Sequence, residues 1–262
     1  MIKSCFRYPG AKTKLLPNID KYFSVLLNKS ISFVDLFVGG GSVSIFFAQK
    51  FPQHKIYLND KDDLIYSFWS TVVGSENDFN RLCNLLDCKP TIEFYNELKT
   101  KSGSSIDNAF KALFFNRTNF SGMLHSNPIG GKNQDSKYKL DCRYNSTKII
   151  QNLKDIRNLL LNRTVVSNDD VTSSKFLYEN LPLYLDPPYF HAGKSLYPTF
   201  MSSEDHVKLA YHLNNRRINF VLSYDNCDEI KSLYKDFEII EIEASYTTNS
   251  KRKTTELIIN GR

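Results

Sequence analysis

The chain predicts an α/β fold, a mostly parallel sheet interrupted by a mostly helical insertion. Two observations carry that class. A strand, a glycine turn, a helix and a second strand follow one another near the N-terminus. Short apolar runs of strand length then return only after a long stretch with helical periodicity.

Ser32-Phe33-Val34-Asp35-Leu36-Phe37-Val38 is too short and too rich in β-formers for a helix and reads as the first buried strand. Gly39-Gly40-Gly41 ends it, and Ser42 caps a helix running through Lys50. Lys55-Ile56-Tyr57-Leu58 is the second strand, ending at Asn59-Asp60. From 62 to 145 the apolar residues recur at helical spacing, as in Leu64, Ile65, Phe68 and Trp69, and again in Ala109, Phe110, Leu113 and Phe114. A polar segment from Asn116 to Asn145 closes this stretch and is too long for a bare connector, so a functional loop or hairpin is expected there. Strand pattern resumes at 164–167, 183–185, 219–223 and 237–242, with helices between at 203–213 and 228–234. The segment from Thr247 to Thr254, carrying Lys251, Arg252 and Lys253, reads as a basic hairpin loop at the sheet edge.

With 262 residues the chain can bury a full core, as one large domain or as one domain with an insertion. A net charge of +6 with 13% aromatic residues suits a polyanion whose bases can be stacked upon. The five cysteines are scattered and read as reduced thiols of a cytoplasmic protein. The five histidines show no ligand spacing, so no metal is expected, and neither a leader nor a membrane span is read.

Asp186-Pro187-Pro188-Tyr189 follows the apolar run 181–185 and puts a carboxylate, two rigid imino acids and a ring at the carboxyl end of a buried strand. In open α/β sheets ligands bind at that rim. A flat, amine-bearing substrate stacked on Tyr189 has Asp186 and the Pro187 carbonyl as acceptors, which describes the exocyclic amino group of a nucleobase. The glycines after the first strand permit close approach of a ligand to the backbone, and Asp60 stands where a carboxylate can accept ribose hydroxyls. A nicotinamide cofactor is the rival. The turn reads Gly39-x-Gly41-x-x-Ser44, without the third fingerprint glycine, and hydride chemistry has no use for Asp186 to Tyr189.

Four separated motifs therefore line up: Phe6 to Leu16, Asp35 to Ser42, Tyr57 to Asp60, and Asp186 to Tyr189. In this order they resemble the Dam-like (D12 class, alpha group) DNA adenine-N6 methyltransferases, over nearly the whole chain. The resemblance implies a Rossmann-like sheet binding S-adenosyl-L-methionine (AdoMet), formed by residues 1–61 and 146–262, with an inserted target-recognition domain over 62–145. It implies direct transfer of the AdoMet methyl group to N6 of an adenine flipped out of duplex DNA, with Asp186, Pro187 and Tyr189 at the acceptor. Cofactor contacts are expected from Tyr8, Lys12, Asp35, Phe37, Gly39, Gly41, Asp60, Asp186 and one of the Asp169-Asp170 pair, with Asp170 favoured. Family members often carry Trp in place of Tyr8 and Gly in place of Ala11. Arg117 is expected on a phosphate and Phe120 in the opened duplex. Lys132, Asn133 and Gln134 are expected in a hairpin reading base edges. Lys251 and Arg252 add phosphate contacts. The partners implied are double-stranded DNA and a cognate restriction enzyme acting on the same site, with a monomer as the default. Alternatives within the scaffold are a cytosine-N4 or RNA adenine methyltransferase, and a catalytically silent DNA-binding protein.

Overall fold

The computed structural model describes residues 1–7, 12–191, 200–215, 218–248 and 250–261, with backbone alone described at 244–248 and 250–254. Its sheet has seven strands: β1 (Ser32–Asp35), β2 (Lys55–Asn59), β3 (Thr164–Ser167), β4 (Leu183–Leu185), β5 (Phe220–Asp225), β6 (Glu238–Thr248) and β7 (Ser250–Gly261). The order across the sheet is β3-β2-β1-β4-β5-β7-β6. β1 pairs parallel with β2 and β4, and β4 pairs parallel with β5. β7 runs antiparallel to both β5 and β6. This is the expected Rossmann-like α/β sheet, and the order reverses between β1 and β4, the kind of switch point at which α/β sheets bind ligands.

The chain divides into two compact units. One comprises 12–38, 51–61 and 167–262 and holds most of the sheet. Its core consists of residues such as Val34, Leu183, Leu185, Phe220, Leu222, Leu257 and Ile259, all buried. Strands buried on both faces read as continuous apolar runs, which is why 181–185 and 257–259 show no alternation. Helix α1 (Leu16–Leu27) belongs here and carries Pro17 in its first turn, where the missing N–H costs nothing. The sequence reading assigned no helix to this stretch; Ile19, Tyr22, Phe23, Leu26 and Leu27, its buried face, hold the period that marks it.

The other unit comprises 1–11, 39–50 and 62–166. Helix α2 (Ser42–Lys50) follows the glycine turn. Helices α3 (Asp63–Val73), α4 (Glu76–Leu86), α5 (Ile92–Thr100), α6 (Ser105–Thr118) and α7 (Ser146–Leu160) complete it. Side-chain caps start α3 to α7: Asp62 accepts from Leu64 and Ile65, Ser75 from Asp78, Thr91 from Phe94, Asn145 from Lys148, and Ser104 with Asp107 closes a capping box. Tyr95, Phe110, Phe114, Phe115 and Tyr144 form its aromatic core. Beyond α6 the chain forms turns rather than a paired hairpin. Within 119–145 the bridge between Asn119 and Pro128 is the ladder contact among the described residues. Gly130 and Gly131 at positive φ, with Gln134 also at positive φ, curl the segment on itself. Helices α8 (Ser203–Asn215) and α9 (Asp228–Leu233) return to the first unit. At the far edge β6 and β7 pair as far as Thr248 opposite Ser250, so the expected loop from Thr247 to Thr254 is mostly strand. Its β-branched threonines suit a ladder better than a loop.

Candidate functional site

Asp35, Asp60, Asp170 and Asp186 all lie where strands of the sheet end. Asp35 is the last residue of β1 and is buried. Phe37, two residues on, is half-buried against the apolar core. Asp60 follows β2. These ends are clamped by Asn59, which is 1% exposed. Its amide donates to the Leu36 and Asp169 carbonyls at 3.2 and 3.1 Å. Its oxygen accepts from the Ser167 hydroxyl at 2.8 Å and the Asp169 N–H at 2.9 Å. Four bonds to one buried side chain fix three strand ends. Asn59→Ala should therefore lower stability by about 3 kcal/mol, read as a shift of the urea midpoint.

The two candidate acids after β3 differ. Asp170 caps a short 3₁₀ turn by accepting from the Thr172 N–H and hydroxyl, at 2.9 and 2.7 Å, and pairs with Lys61 at 2.5 Å. Burial pushes its carboxyl upward, but Lys61 and Thr172 outweigh it and hold it below the usual range. Asp169 uses its backbone, not its carboxylate, in the Asn59 clamp.

Asp186 begins the turn after β4. Lys12 reaches its Oδ1 at 2.8 Å, and the Ser223 hydroxyl donates to the same oxygen at 2.9 Å. Ser223 in turn lies 2.9 Å from the buried Tyr184 hydroxyl. Lys12 also donates to the Tyr189 hydroxyl at 3.0 Å and sits over that ring, 5.0 Å from its centre. Glu256 of β7 faces the ammonium at 3.8 Å. Lys12 is 4% exposed. Burial works against its charge, yet Asp186, Tyr189 and Glu256 together raise its pKa well above the usual lysine value. The Phe190 N–H donates to Asp225 at 3.1 Å, tying the end of this turn to β5, and Pro187 is buried. Ser223, Tyr184 and Glu256 were not singled out in the sequence. A lone acid heading the apolar run Leu257-Ile258-Ile259 was the available signal for the last of them.

In the other unit, Gly39 and Gly41 have φ of 44° and 68°. Among the described residues a Cβ at Gly39 would meet nothing within 4 Å, whereas one at Gly41 would lie 2.4 Å from Trp69. The Trp69 indole donates to the Gly39 carbonyl at 2.9 Å. The absent side chain at Gly41 is thus required by tryptophan packing, and Gly39 presents the open backbone.

Arg117 and Phe120 sit at the end of α6. Asn116 is the pivot there: its oxygen accepts from the Arg7 N–H at 2.6 Å, and its amide donates to the Gly122 carbonyl at 2.7 Å. Phe120 is 53% exposed. Among the described residues the buried Arg117 Nε and Arg7 Nη1 have no hydrogen-bond acceptor. Burial lowers the pKa of both guanidinium groups, and Arg7 adds repulsion at Arg117. Lys132 and Asn133 are exposed, but the Gln134 amide is engaged by its own loop. It donates to the Ile129 and Gly131 carbonyls at 2.8 and 2.6 Å and accepts from the Leu140 N–H at 2.8 Å. Lys251 and Arg252 are paired in the β6–β7 ladder. Tyr8 lies outside the described residues. His191, Cys227 and Glu229 bring ligand-type atoms within 4.8 Å of one another, a grouping of two separate segments that spacing could not reveal. No helix among the described residues is long and apolar enough to cross a membrane.

The model of the family described as D12 class N6 adenine-specific DNA methyltransferase matches residues 8–248. The type II methyltransferase M.MjaIII of Methanocaldococcus jannaschii is 25% identical over 279 residues, covering 95% of this chain and 94% of its own length. The type II methyltransferase M1.LlaDCHI of Lactococcus lactis subsp. cremoris is 26% identical over 277 residues, covering 97% and 93%.

Proposed function

Because the chain belongs to the D12 class N6 adenine-specific DNA methyltransferases, we propose that Asp186, Pro187 and Tyr189 hold the acceptor adenine of duplex DNA, flipped from its stack. The observation that carries this reading is the buried ammonium on Asp186. Its donor to the carboxylate, lying over the Tyr189 ring, marks a position suited to an amino group on a flat base. Adenine N6 is a poor nucleophile because its lone pair is conjugated with the ring. Hydrogen bonds from the amino group to Asp186 and to the Pro187 carbonyl favour a pyramidal nitrogen with its lone pair exposed. Ser223 and Tyr184 keep the Asp186 carboxylate oriented, so that little reorganisation remains at the moment of transfer.

The residues fit AdoMet. Asp35 suits the methionine amino group, Asp60 the ribose hydroxyls, and Phe37 a wall of the pocket. Gly39, which follows Leu36-Phe37-Val38 in sequence order and has no side chain, suits a close approach of the ligand to the backbone, with Gly41 setting the turn. Asp170, or Asp169, whose carboxylate is left out of the Asn59 clamp, suits the adenine amino group, and Tyr8 and Lys12 belong to the covering motif. When bound, AdoMet supplies the electrophilic methyl group.

For DNA, Arg117 serves a backbone phosphate and Phe120 the opened duplex. Lys132 and Asn133 serve base edges, with Gln134 bracing their loop, and Lys251 and Arg252 add phosphate contacts. The insertion over 62–145 is then the target-recognition domain, working in a monomer, and the type II relatives support a restriction enzyme sharing the site. Arg117→Gln should weaken binding to all duplex sequences alike and reduce the slope of log K against log salt by about 1, measured by fluorescence anisotropy. An unchanged slope would remove Arg117 from the phosphate contacts.

The direct test incubates the protein with methyl-labelled AdoMet and unmethylated genomic DNA, followed by digestion to nucleosides. Label in N6-methyladenine is expected. Label in N4-methylcytosine, or none, would overturn the reading of Asp186.

A further inference from the structure

Two requirements conflict at Asp186. The base must stack on Tyr189 and donate to Asp186, yet the Lys12 ammonium now lies over that ring and on that carboxylate. A buried cation cannot simply be released, because water does not reach it. Whatever displaces Lys12 must leave it another anion.

Glu256 answers that need. It is 1% exposed, stands on β7 opposite Asp225, and its Oε2 is 3.8 Å from Lys12 Nζ. Among the described residues neither of its oxygens makes a hydrogen bond of full geometry, while the ammonium at 3.8 Å and the Tyr189 hydroxyl both act on the carboxylate. A contact of charge-assisted length needs a shift of the ammonium by about 1 Å, within reach of side-chain rotation alone. We propose that Glu256 is the receiving partner of Lys12: as the adenine amino group takes Asp186, the ammonium moves onto Glu256 and the acceptor position opens without an unpaired buried charge. Glu256 is a positioning residue that acts through Lys12 and touches neither base nor cofactor. Burial raises the carboxyl pKa, with Lys12 opposing and Asp186 adding to the rise. That fits an acid held in reserve for a cation. The inference rests on the reading that Asp186 binds the acceptor amino group.

The test is a double-mutant cycle with Glu256→Gln and Lys12→Met, using duplexes that carry adenine or fluorescent 2-aminopurine at the target position. With Lys12 present, Glu256→Gln should lower kcat/KM for DNA by about tenfold, within the range of coupling between contacting charged groups, and shrink the 2-aminopurine signal. AdoMet affinity should stay within about twofold, and in the Lys12→Met background Glu256→Gln should add less than about twofold. An equal loss in both backgrounds, or no loss in the first, overturns the proposal. Should Glu256→Gln not fold, the Lys12 ¹⁵Nζ resonance of the unaltered protein decides: it shifts on adding target duplex if the exchange occurs, and an unmoved resonance overturns it. The underlying reading fails separately, if the unaltered protein gives no 2-aminopurine signal or if Asp186→Ala still transfers methyl groups.

Discussion

Asp186→Ala should reduce methyl transfer to adenine by about 10³-fold or more while leaving duplex affinity within about threefold of the parent, since one preorganised polar group at a reacting centre is worth about 10²–10³ and this one also orients the nucleophile. Nucleoside analysis after incubation with labelled AdoMet reads the first quantity, and anisotropy reads the second. The same substitution strips the buried Lys12 of its 2.8 Å carboxylate partner, leaving Glu256 at 3.8 Å as its nearest carboxylate among the described residues, beside the Tyr189 hydroxyl at 3.0 Å. Removing one member of a buried pair costs about 3–5 kcal/mol; with Asp186 23% exposed, the low end of that range is expected. The pH dependence has a definite sign. The folded-state pKa of Lys12 is raised, so the stability from its contacts is fully present below the unfolded lysine value. It is lost only as pH rises through the higher folded value. The stability gap between parent and variant should therefore be flat across neutral pH and close only in strong alkali. A variant that keeps parental methylation would remove Asp186 from the acceptor site. Loss of DNA binding in a folded variant would move its role to recognition.

What could be read from the chain alone divides along a physical line. The βαβ unit, the later strands and the carboxylates at strand ends announce themselves locally, because burial on both faces of a parallel sheet and the need for a glycine turn leave contiguous marks. Asp35, Asp60 and Asp186 were therefore visible, and they do lie where strands end. What stayed hidden comes from residues far apart in sequence. Lys12 and Asp186 are 174 positions apart by their numbers, and nothing in the basic run Lys12-Thr13-Lys14 says that the first lysine is buried. Gln134 has the side chain to read a base, but two positive-φ glycines beside it curl the loop so that its amide braces the backbone. Likewise the segment after Thr247 looks like a basic loop by charge, while its threonines and its partner β6 make it a strand. Charge patterning records what a surface attracts, not which backbone carries it.

The glycine turn gives the second large effect. Gly39 and Gly41 look interchangeable in the sequence, both permitting positive φ and both expected as cofactor contacts. They carry different loads. At Gly41 an added Cβ meets Trp69 Cζ2 at 2.4 Å and Cη2 at 2.7 Å, and Trp69 is 1% exposed, so the indole has no space to retreat into. Gly41→Ala combines left-handed strain of about 1–2 kcal/mol with overpacking of about 1–3 kcal/mol. A loss of about 2–5 kcal/mol should appear as a lower urea midpoint. Displacing the indole also breaks its bond to the Gly39 carbonyl, so the turn loosens with it. Gly39→Ala meets no neighbour among the described residues and should cost only the strain, about 1–2 kcal/mol, partly offset by the stiffer unfolded chain. Its larger effect should fall on AdoMet affinity, by about tenfold or more, because the methyl group would occupy the space through which the backbone is approached. Calorimetric AdoMet binding beside denaturant titration of both variants separates the two. Gly39→Ala with parental affinity would exclude the turn from the cofactor pocket, and Gly41→Ala with parental stability would mean that Trp69 does not fix the turn.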